Sequence, residues 1–146
     1  MGYTLTVPDG YGYVVLIALG GIPLLSNMQG NVVTFLRKPA KVPYPNAYAS
    51  HEQAKENRDA YKFNCAQRAH ANLLENMPQT MASMLFAGLE YPTAAAALGL
   101  GWLLARSLYA FGYVKYNRRY GFGGGVFWLC QGGLWALCCA SALKML

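Results

Sequence analysis

Four stretches of this chain, Tyr11–Leu36, Phe63–Leu89, Pro92–Tyr113 and Phe122–Leu143, are dominated by apolar residues. Each has the roughly 20 residues a helix needs to cross a hydrocarbon core of about 30 Å. The first and fourth carry no charge; the second holds Arg68 and Glu75, the third Arg106. With 55% hydrophobic and only 12% charged residues, the chain falls well short of the roughly 25% charged content of soluble domains. The expected fold is all-α: an integral membrane four-helix bundle, up-down-up-down, formed by residues 1–146 as one domain.

The net charge of +6 is a topology signal before it is anything else. Arg37, Lys38, Lys41, Lys55, Arg58 and Lys62 surround the first connection, and Lys115, Arg118 and Arg119 occupy the third. Four spans place both connections on one side, which the positive-inside rule makes cytosolic. This distribution argues against a nucleic-acid partner. The first block is read as a span and not a cleaved leader, because Asp9 and no Lys or Arg precedes it. Met1 to Thr6 formally fits a myristoylation pattern, a short and common one.

Helix one is predicted over residues 11–38, stopping at Pro39 and bent near Gly20–Pro23. Residues 52–61 have the charge density of a short surface helix or of an extension of helix two. Helix two is predicted over 61–89 with a kink at Pro78, and helix three over 93–116. Helix four then follows the glycine-rich run Gly121–Gly125.

Arg68, Asn72 and Glu75 recur at i, i+4 and i+7 and so share one helix face. An ionised group at membrane depth faces a bundle interior or a watery cavity and has a partner. Arg68 suits a carboxylate, Glu75 an ammonium, and Asn72 either donor or acceptor; together they suit a small zwitterion. The competing reading is a salt-bridge ladder that only fixes packing. About 10 Å of helix rise separates Arg68 from Glu75, so direct pairing of the two is expected to be strained. On helix three, Trp102, Arg106, Tyr109, Tyr113 and Tyr116 form a second stripe. Tyr116 reads as an interface anchor, while Tyr109 and Tyr113 fit equally a polar pocket or plain packing. On helix two, His70 lies off the Asn72 register and has no companions at metal-ligand spacing, so no metal site is expected. Cys65, Cys130, Cys138 and Cys139 read as small packing residues.

The segment Phe63 to Glu75, with RAHxNxxE at Arg68–Glu75 and Pro78 after it, resembles the signature of the MAPEG family. Those are membrane-associated proteins of eicosanoid and glutathione metabolism. Arg37–Pro45, Gly99–Gly101 and the RxxYxxGY run from Arg106 to Tyr113 agree as well. The likeness is greatest to the type 3 microsomal glutathione transferase branch.

The resemblance implies a homotrimer that binds glutathione as co-substrate between subunits near the cytosolic face. It implies that Arg68, Asn72, Glu75, Tyr109 and Tyr113 hold glutathione, with Arg37 and His70 reaching in from the adjacent protomer. Arg119 would stabilise the thiolate, with Arg118 as the alternative, and Lys38 would assist the chemistry. Asn76 stands where a leukotriene-synthase relative has a glutathione-contacting tyrosine. The activity implied is conjugation of glutathione to a lipophilic small molecule, or reduction of a lipid hydroperoxide. The implied location is the endoplasmic reticulum membrane, or another intracellular membrane such as the outer mitochondrial one. Two rivals predict no such chemistry: a lipid-presenting scaffold of the same family, and a small channel or transporter.

Overall fold

A computed structural model describes residues 6–116 and 124–146, and among them every regular element is a helix. The first, α1 (Tyr11–Ala40), is α-helical over Tyr11–Val15, widens to a π turn over Leu16–Gly21 and returns to α over Ile22–Ala40. Pro23 has no N–H for the carbonyl four residues before it, and a widened turn is one way to absorb that loss. This widened turn lies where a bend is predicted, near Gly20–Pro23.

The predicted stop at Pro39 is wrong. Pro39 lies inside the last turn, and the helix runs to Ala40, capped by Lys41, whose φ of 54° is left-handed. A proline ring clashes with the turn before it, so one more residue can follow. The Lys41 amide donates to Lys38 at 3.1 Å and the Val42 amide to Arg37 at 3.4 Å, closing off the end.

The polar connection holds α2 (His51–Glu56), where the Ser50 hydroxyl accepts from the Gln53 amide at 3.1 Å. Helix α3 (Arg58–Gly88) follows at once and runs unbroken for 31 residues through Pro78. Residues 52–61 thus provide both readings, a short surface helix and an extension of the long one. Asn57 separates them: its side-chain oxygen accepts from the Asp59 and Ala60 amides at 2.9 and 3.4 Å. An Asn57→Ala substitution should cost about 1 kcal/mol at this helix start. Amide hydrogen exchange would register it as roughly fivefold faster opening of the first turn of α3.

A turn over Leu89–Tyr91 joins α3 to α4 (Pro92–Tyr116), with the Tyr91 amide bonded to Ala87 at 2.8 Å. So short a link makes α3 and α4 antiparallel neighbours. They approach closely because Gly99 faces Met84; a Cβ at Gly99 would collide with that side chain. Helix α5 (Val126–Leu143) packs against both. Across the α3–α5 seam the buried Thr80 hydroxyl donates to Gln131 at 2.6 Å. At the same end of the bundle as the α3–α4 turn, Lys144 pairs with Glu90. The Glu90 carboxylate holds that ammonium protonated, raising its pKa above the ordinary lysine value.

The main core runs through Val14, Leu73, Met84, Trp102 and Leu134, and a smaller cluster around Val33, Ala60 and Phe63 lies under the polar connection. Outward faces stay apolar, with Leu24, Phe35, Leu104 and Leu129 exposed, as suits a lipid-facing surface. By length and composition α1, α4 and α5 can each cross a membrane. Helix α3 is about 46 Å long, ample for a span, but polar residues such as Asn72, Glu75, Asn76 and Gln79 lower its hydropathy and keep it outside that class. The four-span expectation therefore stands on composition for three helices.

Candidate functional site

The polar stripe of α3 comes together as its spacing predicts, with one correction. Arg68 Nη1 lies 2.9 Å from Glu75 Oε1, so the two do pair along one helix. The pairing that was expected to be strained forms because both side chains extend along the helix surface and share the distance. The pair is also open: the side chains remain 45% and 52% exposed. Ion pairs this exposed contribute little to stability. They are correspondingly easy to open for an incoming carboxylate and ammonium.

Asn72 ties the pair to the next helix. Its amide nitrogen donates to Glu75 Oε2 at 3.3 Å, and its oxygen accepts from Arg106 Nη1 at 2.7 Å. The result is one continuous polar chain, Arg68–Glu75–Asn72–Arg106, that passes from an exposed face to a buried one.

Arg106 is the residue that sequence reasoning undervalued. It is 1% exposed, and its guanidinium lies 3.8 Å from the Phe127 ring centroid, 5.0 Å from Trp102 and 5.8 Å from Tyr109. Aromatic faces offset part of the cost of burying a cation. Even so, its Nε and Nη2 find no hydrogen-bond partner among the described residues. A buried cation with spare donors is costly unless something anionic or polar meets it. The available signal was its phase with Tyr109 and Tyr113 on α4. Tyr109 is buried, Tyr113 half-buried, and their rings meet edge to face at 5.6 Å. Tyr109 also meets Phe127 edge to face at 5.6 Å, so its phenol lines the wall that holds Arg106.

Asn76 turns away from the stripe. Its amide donates to the Asn72 carbonyl at 2.8 Å and its oxygen accepts from Gln79 at 2.9 Å.

The remaining residues do not join this cluster within one chain. Arg37 turns into its own connection, where Nη1 donates to Asn46 O at 2.6 Å and to Val42 O at 3.4 Å. Its guanidinium lies 4.2 Å from the Tyr44 ring centroid and 4.8 Å from that of Phe63. Lys38 is exposed, beside a shallow recess of about 550 Å³ that Arg37, Lys41 and Tyr44 also line. His70 is half-buried on the flank of α3 facing α1. A methyl group added at Gly30 would stand 3.7 Å from its ring, and His70 Nδ1 is buried with no hydrogen-bond partner among the described residues. Arg118 and Arg119 lie outside the described residues.

The family model described as the MAPEG family matches residues 15–140 of the chain.

Proposed function

The chain belongs to the MAPEG family, and on that premise we propose that it is a glutathione-dependent membrane enzyme of the type 3 microsomal transferase kind. The family includes glutathione transferases and peroxidases. One observation carries the reading to this chain: the polar chain Arg68–Glu75–Asn72–Arg106, which offers an accessible cation, an accessible anion and a buried guanidinium with spare donors. A tripeptide with two carboxylates and one ammonium matches that order of charges. Arg68 takes a carboxylate in place of Glu75, Glu75 takes the ammonium, and Asn72, fixed by Arg106, hydrogen-bonds the backbone between them. Tyr109 and Tyr113 stand on the α4 side of the same site.

In this proposal all four long helices cross the membrane, that of the endoplasmic reticulum or another intracellular membrane, and three copies assemble. Arg37 and His70 of one copy then face the stripe of the next, and the exposed side of that stripe becomes a seam. Arg119 stabilises the glutathione thiolate, and Lys38 is a second cation near the reacting group. The thiolate forms a C–S bond to an epoxide carbon as the C–O bond breaks, and the alkoxide takes a proton. Against a hydroperoxide it attacks the distal oxygen and the O–O bond breaks. The alkoxide leaves and is protonated, and a second glutathione converts the sulfenic product to disulfide and water. The lipophilic substrate enters from the bilayer.

The test is thiolate absorbance on adding glutathione to the purified protein, with conjugation and peroxidase turnover measured alongside. Thiolate formation with either turnover supports the proposal. Unchanged absorbance with no turnover sinks it, and binding without turnover is what a lipid-presenting scaffold predicts. A Glu75→Gln variant should bind glutathione about 10- to 100-fold more weakly, while its melting temperature stays within about 3 °C. Wild-type affinity in that variant would return the Arg68–Glu75 pair to a purely structural role.

A further inference from the structure

On another flank of α3, away from the Arg68–Glu75 stripe, α1 and α4 diverge and leave a cavity of about 1060 Å³. Its floor is made of small residues, Ala66 and Ala69 of α3 and Ala110 of α4, and larger apolar side chains of α1 and α4 form its walls. On α1 it extends from Gly21 to Val32, about 16 Å at 1.5 Å per residue. That is about half of a 30 Å hydrocarbon core, the depth of one leaflet. The charges sit at one end only. Arg58, Lys62 and Lys115 line the end next to the basic connections, with Asp59 as the only acid among the lining residues. None of the four forms an ion pair among the described residues. A crevice one leaflet deep, apolar along its length and net cationic where the leaflet meets water, has the charge and length profile of an anionic lipid.

We propose that this crevice between α1 and α4 is a binding site for an anionic glycerophospholipid of the basic-side leaflet. One acyl chain lies over Ala66, Ala69 and Ala110, and the headgroup phosphate meets Arg58, Lys62 and Lys115. The site is separate from the polar stripe, and it stands whether or not the stripe binds glutathione. A zwitterionic lipid fits the same apolar wall but gains much less at the rim. Each basic residue at the membrane surface is worth a factor of about five in affinity for anionic lipid. Three cations less one acid give a preference of about thirtyfold.

The experiment is native mass spectrometry of the full chain in mild detergent, titrated with phosphatidylglycerol or phosphatidylcholine. The wild type should retain phosphatidylglycerol about thirtyfold more tightly. The triple variant Arg58→Gln, Lys62→Gln, Lys115→Gln should lose that preference, and Lys55→Gln, which removes a basic residue outside the crevice, should keep it. Ala110→Trp fills the floor and should lose both lipids, which separates chain binding from headgroup attraction. Several results would overturn the proposal. Equal retention of the two lipids is one, and a preference that survives in the triple variant or vanishes in Lys55→Gln is another. Displacement by free glycerol phosphate would reveal a surface anion site with no role for the acyl chain. A change of assembly state in the triple variant, with no lipid preference in the wild type, would mean that a second copy covers the crevice.

Discussion

Replacing Arg119 by alanine is expected to lower kcat roughly 10²- to 10³-fold while glutathione affinity changes by no more than a few-fold. The proposal gives this guanidinium one task, which is to sit where the sulfur's negative charge must reside. Removing a single preorganised donor of that kind typically costs a rate factor of this size. The pH dependence distinguishes it from a tethering residue. A nearby cation favours the thiolate and lowers the thiol pKa, so wild-type activity is already present at neutral pH. Without it the thiol returns to about 8.5, and turnover by the variant should climb between roughly pH 7.5 and 9.5. The gap between variant and wild type therefore narrows as pH rises. The comparison is read from kcat and from thiolate absorbance across that range. If Arg119→Ala turns over normally and Arg118→Ala does not, the role passes to Arg118. If both are normal, electrostatic activation from this turn is wrong.

Substituting Arg106 by methionine should separate folding from binding. Removing one partner of a buried polar contact usually destabilises, but a buried cation whose Nε and Nη2 find no partner among the described residues carries a desolvation cost that an apolar side chain of similar volume does not. Here the guanidinium lies among Trp102, Tyr109 and Phe127, surroundings that accept a thioether readily. The melting temperature should therefore hold or rise. Asn72, however, loses the 2.7 Å contact that fixes its amide. A hydrogen bond from a charged donor is worth about 1.5–3 kcal/mol. Glutathione should accordingly bind about 10- to 150-fold more weakly by calorimetry. Arg106→Lys keeps the charge without the planar fork and should fall between. Full affinity in the methionine variant would show that Asn72 needs no clamp.

The stripe itself was legible because α-helical periodicity is a local property. Once residues 63–89 are helical, Arg68, Asn72 and Glu75 must share a face. The Arg68–Glu75 pairing was misjudged for a different reason. Rise along the axis measures backbone separation, whereas two long side chains lean toward each other across it. Arg37 also escaped the reading. Nothing in the run Arg37–Pro45 shows that Arg37 will bond the Val42 and Asn46 carbonyls and lie against the rings of Tyr44 and Phe63.

The amino-acid sequence alone determined the helical blocks, the basic side of the bundle and the phase of each polar stripe. These depend on hydropathy and on neighbours within two helical turns. Only the tertiary structure decided that Arg106 of α4 would clamp Asn72 of α3 under Phe127 of α5. It also decided that α1 and α4 would part to leave a leaflet-deep crevice. Those outcomes depend on how rigid helices, distant along the chain, fill space against one another, and a one-dimensional pattern of polarity does not encode which surfaces meet.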